Sequence, residues 1–194
     1  MSITNNEYWD LFDNKKEIRM KHHRRGDRIP DGLYHLVVHS WIMDPSGLFL
    51  MSQRQEGRPY AFKWERTGGS VLEGENSLDG ALREVREELG LDLSENERYF
   101  IKSKKRARYH DFFDAWLFIV DKDNVQCQID NEEVRDFKWF NLRELDELKE
   151  KDGMVPSSTY YHEVYALLKE IKNKNNKTKC ECGTDMKNID KLEE

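Results

Sequence analysis

The sequence predicts an α/β domain built in layers around a mixed β-sheet. Three observations lead there. Runs of β-branched and aromatic residues are interspersed with a few helical patterns, without the regular alternation of a wholly parallel sheet. One helical pattern, at 77–90, carries both end signals and an apolar stripe. A chain of 194 residues, 37% of them hydrophobic, can enclose one core.

The elements follow in order. The opening EYWDLFDNKKEIRMKHHRRGDRIPDG alternates aromatics with turn residues, and Asp13-Asn14 reads as a turn between two short extended pieces. LYHLVVHSWIM (33–43) is a strand, DPSG (44–47) a turn and LFLMSQR (48–54) the second arm of a hairpin. RYFIKSKK, YHDFFDAWLFIVD and DFKWFNL read as further strands. LRELDELKEK (142–151) and STYYHEVYALLKEIKNK (158–174) read as helices. Residues 1–172 are expected to form one domain, with 1–30 an extension packed on it. From Asn173 the composition turns polar, and 173–194 is expected to be a mobile tail. Its Cys180 and Cys182 supply half of a four-ligand zinc site. A solvated tail with free thiols is the preferred reading over metal binding across a dimer.

Charge limits the function classes. The net charge is −6 with 36% charged residues. Such a chain is a poor candidate for gripping a nucleic-acid backbone. It can take a phosphate ester where a cation or a local basic cluster intervenes. No apolar run approaches the roughly 20 residues of a membrane span, and MSITNNEYWD lacks a signal-peptide core. A cytoplasmic protein without membrane contact is expected. Three cysteines argue against a disulfide framework.

The 77–90 helix carries the chemistry. Asn76 or Ser77 can cap it, Asp79 suits its N-terminal dipole, and Gly90 sits where a left-handed residue ends a helix. Leu78, Ala81, Leu82, Val85 and Leu89 form the stripe that meets the sheet. Arg83, Glu84, Glu87 and Glu88 fall off it. Glu84 lies three and four residues from Glu87 and Glu88, so the like charges share a face and destabilise an isolated helix. Arg83 offsets part of this. A hard divalent cation, which prefers oxygen ligands, would offset more. Clustered acids alone more often mean a solvated face. The flanks shift the balance: Gly68-Gly69 allow close backbone approach, and Glu75 stands in the loop eight residues before Arg83.

The spacing is Gly69, five residues, Glu75, seven residues, Arg83-Glu84-Val85, one residue, Glu87-Glu88, one residue, Gly90-Leu91. Every fixed position matches the Nudix box, and the chain resembles the Nudix superfamily over most of its length. The resemblance implies an α/β/α sandwich with a mixed sheet, the box forming a loop–helix–loop. It implies Mg²⁺- or Mn²⁺-dependent hydrolysis of a nucleoside diphosphate linked to another group. Glu84, Glu87 and Glu88 would then be metal ligands, Glu84 and Glu88 first, with one of the three serving as base. The Gly69 carbonyl would join them, and Glu75 with Arg83 would orient the acidic helix. Arg54 stands where the family often places a basic substrate contact. A homodimer is compatible with the family.

The stretch from Leu33 to Glu75 also resembles the branch containing type I isopentenyl diphosphate isomerase. That enzyme requires a cysteine and a histidine where this chain has Gly68 and Ser70, and its own box is degenerate. Cys127 is too distant to substitute. Hydrolysis is therefore preferred over isomerisation and over a nucleotide sensor without catalysis. On the same analogy His35 would face the site.

Other residues carry weaker signals. His35 and His39 share a strand face, where a pocket or core role is commoner than metal binding. KHHRRGDR (21–28) is either a solvated loop or a phosphate-steering arm through Arg24, Arg25 or Arg28. KSKKRARYH (102–110) could meet phosphate or water. Trp64, Trp116 and Trp139 read as core, with Trp64 also a candidate wall of the substrate pocket beside Gly68. Glu132 and Glu133 are candidate additional metal ligands.

Overall fold

The computed structural model describes residues 7–129 and 132–185, with side chains of the last helix through Asn175. The described residues contain a two-stranded hairpin, a six-stranded mixed sheet and α-helices. The hairpin pairs β1 (Tyr8–Phe12) with β2 (Ile18–Arg24). Asp13 closes its turn, its Oδ1 accepting from the Lys15 and Glu17 amides.

The sheet is organised around β3 (His35–Met43), which alternates its side chains between two faces. β3 runs parallel to β7 (Asp111–Ile119) through the whole register from His35↔Asp111 to Met43↔Ile119. β6 (Glu97–Arg106) adds antiparallel to β7 as an edge. Its lysines suit an edge strand, where charge discourages further pairing. On the other side, β3 meets β4 (Phe49–Arg54) only at Ile42↔Leu50 and Met43↔Phe49. β8 (Val134–Phe140) pairs with β4.

The short pairing of β3 with β4 opens a gap that positions the site. The chain after the hairpin loop runs into it. β5 (Trp64–Glu65) pairs first with β4. Thr67 and Ser70 then bridge to Ser40 and Val37 of β3. Val38 N–H donates to the Gly69 carbonyl at 2.8 Å, and Val71 N–H donates to the Leu36 carbonyl at 2.9 Å. The glycine pair is thus seated within the sheet. Gly68 has φ of +150°, and a Cβ there would lie 2.1 Å from the Val38 carbonyl oxygen. Only glycine fits.

Helix α1 (Ser77–Leu89) lies on one sheet face. Asn76 caps it, its Oδ1 accepting from the Leu78 and Asp79 amides at 2.9 and 3.0 Å, and Asp79 completes a capping box. Gly90 ends it at φ of +68°. Ala81, Val85 and Leu89 are buried against Leu36, Val38, Ile42, Leu50 and Phe118. Each large side chain buried there contributes roughly 1.5–3 kcal/mol. Trp116 and Trp139 pack against this core, as the sequence suggests.

α2 (Leu142–Glu150) begins with a second capping box, Asn141 with Glu144. Chain contacts divide the molecule at Thr159 into two compact units. The second unit holds α3 (Tyr161–Asp185), in which Tyr161, Val164, Leu168 and Ile171 form one stripe. α3 continues past Asn173, where composition alone points to a mobile tail. Its sequence offers no proline and no glycine before Gly183 to stop it. The Cys180 and Cys182 side chains lie outside the described residues. Among the described residues no helix is long and apolar enough to cross a membrane.

Leu89→Ala removes a fully buried side chain where α1 meets the sheet. It should destabilise the protein by about 2–5 kcal/mol in urea unfolding. A loss below about 0.5 kcal/mol, the range of surface substitutions, would show that this contact does not hold α1 in place.

Candidate active site

The outward face of α1 is organised by one guanidinium. Arg83 Nε donates to Glu75 Oε1 at 2.8 Å, and Nη2 donates to Glu75 Oε2 at 3.1 Å and to the Ser70 carbonyl at 2.8 Å. Nη1 donates to Glu84 Oε1 at 2.9 Å and to Glu87 Oε2 at 2.8 Å. Every face of the planar fork is used, which a lysine could not reproduce. Burial alone would lower the Arg83 pKa. The Glu75 hydrogen bond and the charges of Glu84, Glu75 and Glu87 outweigh it and raise it. The arginine stays charged.

Glu75 is itself fixed, accepting the Leu72 amide at 2.9 Å. The N-terminal hairpin braces the same loop. Glu73 N–H donates to the Tyr8 carbonyl at 2.8 Å, and Gly74 N–H donates to Asp10 Oδ2 at 3.0 Å. His22 Nδ1 lies 2.8 Å from a Glu73 carboxylate oxygen, and its ring stacks on Tyr8.

Glu84 presses against the glycine turn. A Cβ on Gly69 would stand 2.5 Å from the Glu84 carboxylate, so a larger residue there would push the acid out of this position. Burial pushes the Glu84 pKa up to about 7. Arg83 opposes the shift, and the Glu87 and Glu133 charges add to it. Burial also holds the Glu88 carboxyl well above the usual range, reinforced by Glu84, Glu65 and Glu133 and opposed by Arg66.

These groups border a cleft of about 420 Å³. Glu84, Glu87, Glu88, Arg83 and the Gly68–Ser70 backbone form its floor. Arg54 reaches it from the end of β4 and Arg58 from the β4–β5 connection, Glu132 and Glu133 from the chain before β8, and Arg25 with Glu7 from the open end of the hairpin. The cations are held by acids. Arg54 pairs with Glu65, Arg58 with Glu133, and Arg25 with Glu7 at 2.5 Å. Of the basic cluster at 21–28, Arg25 therefore reaches the cleft.

Two expected site residues lie elsewhere. Trp64 alternates with Glu65 along β5. Ser52↔Glu65 pairing puts the acid on the α1 side, whereas Trp64 pairs with Gln53 and packs edge-on against Phe140. His35 is on the β3 face opposite Leu36 and Val38, stacked on Trp9 with ring centroids 4.3 Å apart. Burial lowers its pKa to about 4, although Asp111 pulls the other way, so the imidazole is neutral near pH 7. His39 shares that face, stacked on Phe113. Neither His35 nor Trp64 lines the cleft.

Glu65 and Arg58 are the residues that sequence reasoning passed over. Strand alternation was the available signal for Glu65, because it separates the acid from its tryptophan neighbour. Arg58 lies in a turn-rich loop with no periodicity to place it.

Carboxylates crowded at one cleft mouth, two with raised pKa, suit a divalent cation chemically. The Gly69 cradle leaves Glu84 free to approach the backbone. Arg83 holds both Glu84 and Glu87. Among the described residues no three acidic, histidine or cysteine side chains close into a metal-binding group. Arg83 takes one oxygen from each of the two carboxylates, Glu84 Oε1 and Glu87 Oε2.

Residues 33–161 match the NUDIX domain. The chain belongs to the Nudix hydrolase family. Family members are pyrophosphohydrolases, and their mixed α/β fold is the one seen here. An uncharacterized Nudix hydrolase of Listeria monocytogenes is 32% identical over 89% of this chain and 97% of its own length. An isopentenyl-diphosphate Δ-isomerase of Shigella boydii is 25% identical over 59% of this chain and 66% of its own. A mouse bis(5′-nucleosyl)-tetraphosphatase is 30% identical over 55% and 73% respectively.

The Glu84 shift gives a sign for pH dependence. The folded carboxyl titrates near 7 against 4.5 for an unperturbed one, so the folded state binds more protons between those values. This contribution to stability is present below pH 4.5 and is lost as pH rises to about 7. In chelator, the melting temperature should fall more steeply across that window for the wild type than for Glu84→Gln. Added Mg²⁺ should stabilise the wild type more at pH 8 than at pH 5. Parallel melting curves for the two proteins, or a Mg²⁺ effect independent of pH, would contradict the assignment.

Proposed function

We propose that this Nudix hydrolase cleaves the pyrophosphate linkage of a nucleoside diphosphate derivative, with Mg²⁺ or Mn²⁺ held at the α1 face. The observation that carries the reading is the meeting of acids and arginines in one cleft. Glu84, Glu87 and Glu88 lie on its floor, and Arg25, Arg54 and Arg58 stand around it. Glu84 and Glu88, then Glu87, with the remaining lone pair of the Gly69 carbonyl, would hold the ion. When bound, it neutralises diphosphate oxygens and acidifies a coordinated water.

The chain's own residues do the rest. The arginines exchange their carboxylate partners for phosphate oxygens, which their planar forks match. Arg83 and Glu75 keep the acidic helix in register with the glycine turn. One of the three glutamates takes a proton from the attacking water. The water oxygen bonds to phosphorus as the bridging P–O bond breaks, and the leaving phosphate carries the bond's electron pair away. Two phosphate monoesters result when both sides of the bridge carry esters.

Isomerisation has no catalytic groups here. At the cysteine position, Gly68 cannot accept a Cβ against the Val38 carbonyl. Ser70 replaces the histidine and gives its carbonyl to Arg83. Cys127 is half-buried and its thiol is pushed up to about 11 by burial, so it stays protonated.

Glu88→Gln and Glu84→Gln should each lower metal-dependent kcat by about 10²-fold or more, measured on a panel of nucleoside diphosphate derivatives with product identification. Full turnover in either variant would overturn the ligand assignment. Allylic isomer formed from isopentenyl diphosphate without phosphate release would overturn the hydrolase reading.

A further inference from the structure

We infer that the β4–β5 loop, Gln55–Lys63, is the nucleobase-binding element of this site, with Tyr60 and Phe62 as its stacking surfaces. The inference rests on the nucleotide reading above and adds where the base is held.

The cleft accounts for the phosphates and not for a base. Its lining is charged side chains, glycine and serine, with no aromatic residue among the described ones. Exposed aromatic side chains are carried instead by the loop that brings Arg58 to the cleft. Arg58 lines the cleft, and Tyr60 follows two residues later in the same loop. Tyr60 is 54% exposed and Phe62 46% exposed.

Both residues sit at positive φ, +59° for Tyr60 and +67° for Phe62. Bulky side chains rarely adopt that conformation, and burial of the rings does not compensate for it here. The loop is nevertheless tightly held. Phe62 N–H donates to the Arg54 carbonyl at 3.0 Å, and Lys63 N–H donates to the Tyr60 carbonyl at 3.1 Å. Gln53 Nε2 donates to the Phe62 carbonyl at 2.8 Å. Arg54 Nε donates to the Pro59 carbonyl at 2.5 Å, so one arginine faces the cleft and fixes the loop together. The Arg135 guanidinium lies 5.0 Å from the Phe62 ring centroid, adding a cation to the same surface. Exposed aromatic side chains on a loop whose backbone is bonded to the cleft arginine Arg54 suit a flat heteroaromatic ring on the substrate's nucleoside.

The test compares Tyr60→Ala and Phe62→Ala with the wild type on two Mg²⁺-dependent substrates. ADP-ribose carries a base, and 5-phosphoribosyl diphosphate has the diphosphate without one. Each variant should lower kcat/KM for ADP-ribose, relative to the base-free compound, by about tenfold, through KM. Tyr60→Phe should restore the ratio, since stacking needs the ring and not the hydroxyl. Equal losses on both substrates would mean that the loop merely folds less well, and no change would mean that the rings do not touch the base. Either result overturns the inference. Calorimetric binding of the non-hydrolysable α,β-methylene adenosine diphosphate separates it from the hydrolase reading. Weaker binding by the variants supports the inference even if the wild type hydrolyses nothing. Unchanged affinity, or no binding to the wild type, overturns it whatever the turnover.

Discussion

The site depends on one guanidinium that bridges mutually repelling acids. Arg83 joins Glu75, the Ser70 carbonyl, Glu84 and Glu87, and so ties the loop before α1 to the helix's outer face. Without it, a helix carrying three glutamates within five positions would be opposed by its own charges. With it, the acids stay ordered in a partly shielded place, at the cost of raised proton affinity in Glu84 and Glu88. That stored electrostatic tension favours a divalent cation. Arg83 bonds Glu84 and Glu87 through Nη1 and is anchored separately on Glu75 and the Ser70 carbonyl through Nε and Nη2.

The sheet explains why this arrangement sits where it does. β3 and β4 pair over only two residue pairs, and the glycine turn fills the gap between them. Gly68 is required by the Val38 carbonyl, and the bare Gly69 leaves the Glu84 carboxylate its place against the turn. The two glycines thus answer different constraints, one set by the sheet and the other by the helix. The N-terminal hairpin precedes the matched Nudix residues 33–161 and still belongs to the site, because Tyr8 and Asp10 hold the Glu73 and Gly74 amides.

Much of this was legible in the sequence where local rules act. The bounds of α1, its caps, its buried stripe and its acidic face follow from residue spacing. The pairing of Glu75 with Arg83 came from the family resemblance, and the structure shows it. What spacing could not supply is which sheet face each strand residue takes. His35 and Trp64 were placed by analogy and by nearness to the glycines. Strand alternation sends both to the far face and turns Glu65 to the α1 side, where it pairs with the cleft arginine Arg54. Arg58 and Arg25 arrive from irregular segments far apart in sequence, and only the fold brings them to the same acids. α3 runs past Asn173 through a lysine- and asparagine-rich stretch that contains no proline, and no glycine before Gly183, to stop it.

The central claim is that a divalent ion replaces Arg83 as the partner of the acidic face. Anomalous diffraction from crystals soaked in Mn²⁺ with methylene diphosphonate tests it most directly. The account predicts a manganese peak among the Glu84, Glu87 and Glu88 carboxylates beside the Gly69 carbonyl, with Arg83 retained on Glu75 and withdrawn from Glu84. A cleft without manganese at α1, or manganese bound elsewhere while Arg83 still spans Glu84 and Glu87, would contradict it.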